Sequence, residues 1–208
     1  MKILYYTGWT LWRIVSKLIF RIKVTGQENF PKEGGFLLAT NHISYYDPLQ
    51  AGSWAPRQMY FLAKKELFKN PVFGAIIHRT NALPVSRGQV DREALRLSFE
   101  VIKNGDGLLI FPEGTRSKTD DFLEPKLGIG MMAHRAHCPV IPGYIQGTNK
   151  LADSFWGRVR MRMDYGEPIS AEWIASQPAD KQGYAIIVNE IMSRIRLLRD
   201  RANPTDTP

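Results

Sequence analysis

Apolar residues recur along the chain in two patterns, one typical of short strands and one typical of amphipathic helices. Five apolar stretches bounded by turn-forming residues predict strands at 35–40, 59–63, 81–85, 107–111 and 139–146. Helical spacing predicts helices at 91–103, where Gly105 supplies a stop, and at 128–137. A late strand at 158–165 and a closing helix at 184–199 complete the pattern.

Strands that alternate with helices predict an α/β fold, a single domain in which a mixed, mostly parallel sheet is flanked by helices. The chain has 208 residues, which is enough for one domain to bury a full core. We expect an amphipathic helix at 1–23, the domain at 24–202 and a flexible tail at 203–208. Functional loops are expected where the carboxyl ends of the parallel strands meet.

The first 24 residues predict an amphipathic helix with a basic stripe of Arg13, Lys17 and Arg21. Its longest uncharged stretch, residues 3–12, would extend only about 15 Å against a hydrocarbon core of roughly 30 Å, so it would not span a bilayer. Charges recur and no cleavage site follows, which disfavours a signal peptide. Two interpretations stay open: a helix lying in a membrane interface, or one packed on the domain core. Aromatic residues suited to the lipid headgroup level occur in the same segment: Tyr5, Tyr6, Trp9 and Trp12.

The charge balance favours an anionic partner. There are 28 basic and 20 acidic residues, a formal net charge of +8, which suits nucleic acid, an anionic membrane surface or a phosphorylated small molecule. No recognition helix, zinc-finger spacing or RNA-binding sheet motif occurs, so we expect no nucleic-acid partner. The single cysteine, Cys138, can form no internal disulfide and lies beside an apolar run, which predicts a buried structural thiol.

A histidine and an aspartate follow the strand predicted at 35–40. The sequence continues as Asn-His-Ile-Ser-Tyr-Tyr-Asp-Pro, which places His42 at the strand exit and Asp47 five residues later. Imidazole can take a hydroxyl proton near neutral pH, and a carboxylate can orient it. The alternative is structural: His42 as an ordinary hydrogen-bonded histidine, and Asp47 as a helix N-cap before Pro48.

A second polar loop follows the strand predicted at 107–111. Its sequence, Phe-Pro-Glu-Gly-Thr-Arg-Ser at 111–117, pairs Gly114, which allows close backbone approach, with Arg116, whose planar fork suits phosphate. A solvated polar turn would carry the same residues. His134 and His137 lie three residues apart on a predicted helix without a matching carboxylate or thiolate set, so we predict no metal site.

Together, the motifs at 41–47 and 111–117 resemble the glycerolipid acyltransferase family, which includes bacterial 1-acyl-glycerol-3-phosphate acyltransferases. Residues 74–79 resemble a weaker family motif that ends in an arginine, here Arg79, although His78 stands where the family has an acidic residue. Residues 140–142 resemble another, and Lys126 and Gly128 stand where the family places a lysine and a glycine. The resemblance covers about residues 24–168.

The resemblance implies a reaction and a set of roles. A fatty acyl group would move from an acyl thioester, on coenzyme A or acyl-carrier protein, to the sn-2 hydroxyl of lysophosphatidic acid, giving phosphatidic acid for phospholipid biosynthesis. His42 would be the general base, oriented by Asp47, and no cofactor or metal is implied. Residues expected to hold phosphate and glycerol are Arg79, Glu113, Gly114, Thr115, Arg116 and Lys126.

The expected location is the cytoplasmic face of the cell membrane, as a peripheral or monotopic protein that contacts the phospholipid surface.

Glu113, as an anion, would bond a hydroxyl group or Arg116 rather than phosphate. Two alternatives stay open at this stage. The acceptor could be glycerol 3-phosphate or another lysolipid, or the chain could be a catalytically silent lipid-binding protein.

Overall fold

The computed structural model describes residues 2–86 and 91–204, with all their side chains except those of residues 2–4, 71–73 and 78. Within those ranges the helices are α1 (Lys2–Leu18), α2 (Asp47–Trp54), α3 (Pro71–Arg79), α4 (Arg92–Lys103), α5 (Gly128–Ala136), α6 (Leu151–Phe155), α7 (Ala171–Ala175) and α8 (Lys181–Ala202). The strands are β1 (Lys23–Thr25), β2 (Phe36–Thr40), β3 (Met59–Lys64), β4 (Ala82–Val85), β5 (Gly107–Ile110), β6 (Val140–Gln146) and β7 (Arg162–Tyr165).

The strands of the described residues form one sheet in the order β1-β7-β6-β2-β5-β3-β4. Each neighbouring pair is parallel except β6 and β7. The predicted α/β class with a mixed, mostly parallel sheet is therefore confirmed. In the register, Ala39 of β2 lies between Ile110 of β5 and Pro142 of β6, so the carboxyl ends of these three strands meet at the centre of one edge.

Strand β2 is buried along its whole length because helices cover both faces of the sheet. Phe36 and Leu38 point into a core shared with α1 and α2. Leu37 and Ala39 point into the opposite core, to which α4, α5 and α8 contribute. This arrangement explains the continuous apolar run at 36–39, since a strand covered on both faces needs no polar alternation.

Helix α1 packs on the domain through one of its faces. Tyr5 and Trp9 are only 1% and 8% exposed and belong to the core under α2. Trp12 donates from Nε1 to Oε1 of Gln50 at 2.8 Å, and Arg13 donates to backbone carbonyls at the carboxyl end of α2. Tyr5 and Trp9 are thus core residues, and the headgroup position predicted for them is wrong. Arg13, predicted to belong to an exposed basic stripe, instead donates to carbonyl groups that have no helical partner at the end of α2.

The opposite face of α1 is apolar and exposed: it presents Tyr6, Leu11, Ile14 and Leu18. Arg21 follows the helix, in a left-handed backbone conformation with φ of 48°. Among the described residues, no helix is both long enough and apolar enough to cross a bilayer. Packing on the domain core is thus observed for one face of the helix. The membrane interpretation stays a prediction, and it concerns the other, exposed face.

The closing helix is longer than the sequence pattern predicted. Asp180 caps α8 by accepting a hydrogen bond from the backbone N–H of Gly183, so the helix starts at Lys181 and continues to Ala202. A capping aspartate satisfies first-turn amides that would otherwise lack a partner, which adds a turn before the apolar pattern begins. Residues 205–208 of the predicted flexible tail lie outside the described residues.

We expect Tyr5→Phe to destabilise the fold. The Tyr5 hydroxyl accepts from the N–H of Met59 at 2.8 Å and donates to the Met59 carbonyl at 3.3 Å, both buried. Without it a buried amide loses its partner, so the free energy of unfolding in urea should fall by about 1–3 kcal/mol. Tyr6→Phe, on the exposed face of the same helix, is the matched control and should change it by less than about 0.5 kcal/mol. Equal losses in the two variants would contradict this account of how α1 is held.

Candidate active site

His42 leaves β2 at the centre of the sheet edge, where its ring is held on two sides. Nδ1 lies 2.8 Å from Oδ2 of Asp47, and the ring stacks on Phe111 with 3.8 Å between centroids. The residue is only 6% exposed. Since Nδ1 is occupied by the carboxylate, Nε2 is the nitrogen left for a ligand, and Nδ1 carries the proton when the imidazole is neutral.

The Asp47 carboxylate is completely buried and accepts four hydrogen bonds. Besides Nδ1 of His42, Oδ2 accepts the backbone N–H groups of Ile43 at 2.6 Å and Ser44 at 2.7 Å. Oδ1 accepts the hydroxyl of Thr148 at 2.5 Å. Such donors stabilise the ionised form of a buried carboxylate.

The expected capping role of Asp47 is not what the structure has. Helix α2 begins at Asp47 itself, the N-cap position is Tyr46, and no side-chain bond caps the helix. The carboxylate turns back instead to the amides that precede it in the loop, so those amides and the imidazole share one anion. Pro48 lies in the first turn as predicted, where its missing N–H breaks no helical bond.

Thr148 is a member of this site that the sequence patterns did not single out. It follows Gly147, whose φ of 85° turns the chain sharply after β6. Asn41 holds the two strand ends together: its amide group donates to the Ile145 carbonyl at 2.9 Å, and its side-chain oxygen accepts the Ile145 N–H at 2.8 Å. The sequence signal that could have identified Thr148 was a Gly-Thr pair directly after the predicted strand at 139–146.

Glu113 is buried and supports, through its carboxylate, the loop that carries His42. One carboxylate oxygen accepts the N–H of His42 and the other accepts the N–H of Leu123, each at 2.9 Å. Burial raises the pKa of Glu113, and the two amide hydrogen bonds act in the opposite direction. The hydrogen bond expected between Glu113 and Arg116 is not present among the described residues, because both oxygens of Glu113 are turned toward backbone amides.

Arg116 lies instead over an exposed aromatic ring. Its guanidinium carbon is 3.5 Å from the centroid of Tyr45, and within residues 2–86 and 91–204 it has no carboxylate partner. Gly114 has φ of 68°, and a β-carbon there would come 3.4 Å from Cγ of Lys126. Lys126 therefore lies beside the Gly114 turn, while Arg116, two residues later in the chain, is in contact with Tyr45.

A cavity of about 360 Å³ opens beside His42, at the carboxyl ends of the parallel strands. Its polar lining includes Glu113, Gly114, Thr115 and Lys126, which the sequence predicted as site residues, whereas Arg116, also predicted, is not part of the lining. The rest of its wall is mainly apolar: it is formed by Leu62, Val85, Leu109, Ile110 and Phe111, with Ser86 at the end of β4. The cavity thus brings the imidazole of His42 together with a lysine, polar groups and an apolar wall.

Arg79 does not line this cavity. It ends α3 and comes before β4, so it lies toward the amino end of that strand, while Val85 and Ser86 reach the cavity about 10 Å farther along. The exposed side chain donates to the carbonyl of Ala75 at 3.4 Å. The structure thus places Arg79 away from the cavity beside His42, and its role in phosphate binding stays a prediction. After Ser86 the sequence continues with Arg87, which is outside the described residues, as is the side chain of His78.

The remaining histidines and the cysteine have structural surroundings. Nε2 of His134 lies 3.0 Å from the Gln177 carbonyl, and the His134 and His137 rings are 6.3 Å apart. Across the described ranges, no group of three or more His, Cys, Asp or Glu residues could hold a metal ion. Cys138 is buried in the core as predicted, and burial raises the pKa of its thiol to about 12.

Comparisons with known proteins agree with the geometry. Residues 21–146 match the family model named Acyltransferase. A 1-acyl-sn-glycerol-3-phosphate acyltransferase of Bacillus subtilis is 29% identical over 190 residues, which cover 91% of this chain and 94% of that protein. One of Streptococcus pneumoniae is 29% identical over 80% of this chain and 61% of its own length.

A solved structure has the same fold over nearly the whole chain. The crystal structure of the 1-acyl-sn-glycerophosphate (LPA) acyltransferase from Thermotoga maritima superposes with a TM-score of 0.68 at 25% identity, covering 98% of this chain and 91% of that one. The family model matches more than half of the sequence, and both loops described above lie inside the matched range. The chain therefore belongs to the Acyltransferase family.

Proposed function

We propose that this acyltransferase moves a fatty acyl group from an acyl thioester to the sn-2 hydroxyl of lysophosphatidic acid and so produces phosphatidic acid. The observation that carries the proposal is the buried His42–Asp47 pair facing a cavity that also contains Lys126. The acceptor is supported by the names of the relatives from Bacillus subtilis and Streptococcus pneumoniae, both 1-acyl-sn-glycerol-3-phosphate acyltransferases.

In the proposed step, Nε2 of His42 accepts the proton of the acceptor hydroxyl while its oxygen attacks the thioester carbonyl. Collapse of the tetrahedral intermediate breaks the carbon–sulfur bond, and the proton held by imidazolium is available to the departing thiolate. Asp47 fixes the ring through Nδ1 at 2.8 Å and stabilises the imidazolium that forms. General-base assistance of this kind contributes about 10²–10⁴-fold in rate.

The phosphate end of the acceptor is proposed to bind Arg116 and Lys126, with Gly114 and Thr115 providing the turn beside it. Arg116 has an aromatic partner but no carboxylate in the described ranges, so phosphate can replace a weak contact rather than break an ion pair. Glu113 supports the site indirectly, since both of its oxygens already accept backbone amides. Arg79 is left out because it comes before β4.

The acyl chains are proposed to lie along the apolar wall. A second cavity of about 220 Å³ shares Leu62 and Val85 with the first and continues between α4 and α5, past Leu95 and Met132. Apolar side chains of this kind exclude water from a hydrocarbon chain. The co-substrate is acyl-coenzyme A or acyl-carrier protein, and the proposed reaction needs no further cofactor.

The proposed location is the cytoplasmic face of the membrane, with α1 lying on the phospholipid surface. Support comes from the exposed apolar face of α1, carried by Leu11, Ile14 and Leu18, together with the exposed Lys17. The excess of basic residues across the chain favours an anionic surface. A lipid acceptor and a lipid-facing helix are consistent with each other.

The first test is turnover by the parent and by His42→Ala. The protein is incubated with lysophosphatidic acid and an acyl-coenzyme A or an acyl-carrier protein, while free thiol and phosphatidic acid are followed together. We expect His42→Ala to lower kcat by about 10²–10⁴-fold, since the base is lost. His134→Ala, which changes a histidine outside the cavity, is the control and should retain parental turnover.

The acceptor is tested in the same assay with glycerol 3-phosphate and with a lysophospholipid carrying a larger headgroup. Turnover of either one, with none on lysophosphatidic acid, would overturn the acceptor assignment. A parent that is inert with both thioester donors yet binds lipid vesicles would favour the alternative of a silent lipid-binding protein.

Thr148 provides a second prediction because its hydroxyl is one of the four donors to Asp47. Thr148→Val removes that donor and should lower kcat by about tenfold, while KM for the acceptor stays within about twofold. Thr148→Ser keeps a hydroxyl at the same position and should restore most of the activity. If the two variants behaved alike, the hydrogen bond to Asp47 would have no part in catalysis.

Arg116→Ala tests the phosphate site. Loss of a charge-assisted hydrogen bond should raise KM for lysophosphatidic acid by about 10–100-fold, with a smaller change in kcat. Arg79→Ala, which removes an exposed arginine at the end of α3, before β4, should leave KM within about twofold. The reverse result, a large effect at Arg79 and none at Arg116, would show that the phosphate lies at the other end of β4.

A further inference from the structure

An aromatic pair outside the described site is exposed to solvent. Phe155 ends α6 and Trp156 follows it, and they are 51% and 71% exposed. The two rings meet edge to face, 5.1 Å apart. Adjacent large aromatic side chains held open in this way are typical of a surface that binds a partner.

The backbone beneath this pair is held firmly. The buried hydroxyl of Ser154 donates to the Gly147 carbonyl at 3.1 Å. The backbone N–H of Trp156 donates to the Ala152 carbonyl at 3.1 Å, and that of Arg158 to the Asp153 backbone carbonyl at 2.8 Å. The two rings therefore project from an ordered turn. That turn is also joined, through Gly147, to the loop that carries Thr148.

The same turn lies beside the end of α1. A β-carbon placed on Gly157 would be 4.0 Å from Nη1 of Arg21. Just after these two points, the N–H of Lys23 donates to the Met161 carbonyl at 3.0 Å, where β1 and β7 begin to pair. The aromatic turn and the carboxyl end of α1 are thus neighbours in space, although more than 130 residues separate them in the sequence.

Basic residues follow the aromatic pair in the chain and lie at the end of α1. Arg21, Arg158 and Arg160 are exposed, and only Arg158 has a carboxylate near it among the described residues, Asp153 at 3.6 Å. Tryptophan combined with arginine suits the headgroup level of an anionic bilayer, where the ring reaches the acyl boundary and the cation meets phosphate.

We propose that Phe155, Trp156 and these arginines form a second membrane contact, continuous with the exposed face of α1, and that its partner is an anionic phospholipid surface. Two contacts fix the orientation of the protein on the bilayer, whereas a single helix can roll about its axis. The proposal deepens the proposed function, because it rests on the membrane location given there. It adds a contact at α6, which neither motif loop includes.

The test measures binding to vesicles of phosphatidylcholine with phosphatidylglycerol by sedimentation. The parent is compared with the double variant Phe155→Ser, Trp156→Ser. Loss of the two rings should reduce the partition coefficient by at least about tenfold. Trp173→Ser is the matched control, because Trp173 is a partly exposed tryptophan on α7, a helix that packs beside α5 under the opposite face of the sheet; it should bind as the parent does. Thermal unfolding of each variant establishes that it is folded.

A second measurement places the ring in the bilayer directly. Vesicles whose acyl chains carry bromine quench tryptophan fluorescence on contact, and Trp156→Phe keeps an apolar ring there without the fluorophore. We expect the quenched part of the parental emission to decrease in Trp156→Phe, while binding stays within about threefold. Emission quenched equally in the two proteins, or a double variant that binds as the parent does, would overturn the proposal.

Failure of this proposal is distinguishable from failure of the proposed reaction. A short-chain lysophosphatidic acid below its micellar concentration needs no membrane, so the double variant should turn it over at the parental rate. An inert parent whose vesicle binding still depends on Phe155 and Trp156 would refute the reaction alone. Unchanged vesicle binding, combined with a higher KM for acyl-carrier protein or a loss of self-association, would assign the patch to a protein partner and refute the membrane contact.

Discussion

The fully buried carboxylate of Asp47 is the group on which the rest of the site depends. Removing an anion from water is unfavourable unless hydrogen bonds replace the lost hydration. Asp47 obtains four of them, from two loop amides, the His42 ring and the Thr148 hydroxyl. These donors come from the segment after β2 and from the turn after β6, so the carboxylate also holds together two loops that are distant in sequence.

Two other contacts complete the support of the histidine loop. Glu113 accepts the His42 amide from the side of β5, and Asn41 bonds both backbone groups of Ile145 from the side of β6. The loop is therefore fixed by both neighbours of β2 before any ligand arrives. In the proposed reaction, a base held in this way would lose little freedom when the acceptor binds, which is the condition for effective proximity catalysis.

The sequence patterns predicted the sheet better than they predicted the helix ends and the contacts of individual side chains. Apolar runs at 36–40 and 107–111 are strands because both faces of the sheet are covered, a feature that repeated apolar residues report directly. Helix α8 starts at the hydrogen bond that Asp180 accepts from the Gly183 N–H, before the apolar pattern begins. The carboxylate of Asp47 bonds the loop before α2 instead of capping that helix, which the Asp-Pro pattern did not predict. The proposed division into 1–23 and 24–202 stays a prediction, although α1 packs on α2.

For the candidate site, His42, Asp47 and the loop after β5 could be found from the sequence because two polar segments follow predicted strands and together resemble the motifs of the family. The roles of Arg79 and Glu113 came from the family resemblance, whereas their positions depend on topology: Arg79 precedes β4, and the oxygens of Glu113 accept backbone amides. Thr148 required knowledge that β6 lies next to β2. A single sequence does not show which strands, far apart in the chain, become parallel neighbours in the sheet.

The two faces of α1 have a consequence for handling the protein. Tyr5 and Trp9 complete the core, and the Tyr5 hydroxyl satisfies the backbone of β3 at Met59. A shortened chain beginning after Leu18, made to obtain a protein free of lipid, would uncover apolar surface beneath α2 and leave a buried strand amide without its partner. Solubility is better sought by exchanging the outward side chains Leu11, Ile14 and Leu18 for polar ones, which leaves the inner face of the helix in place.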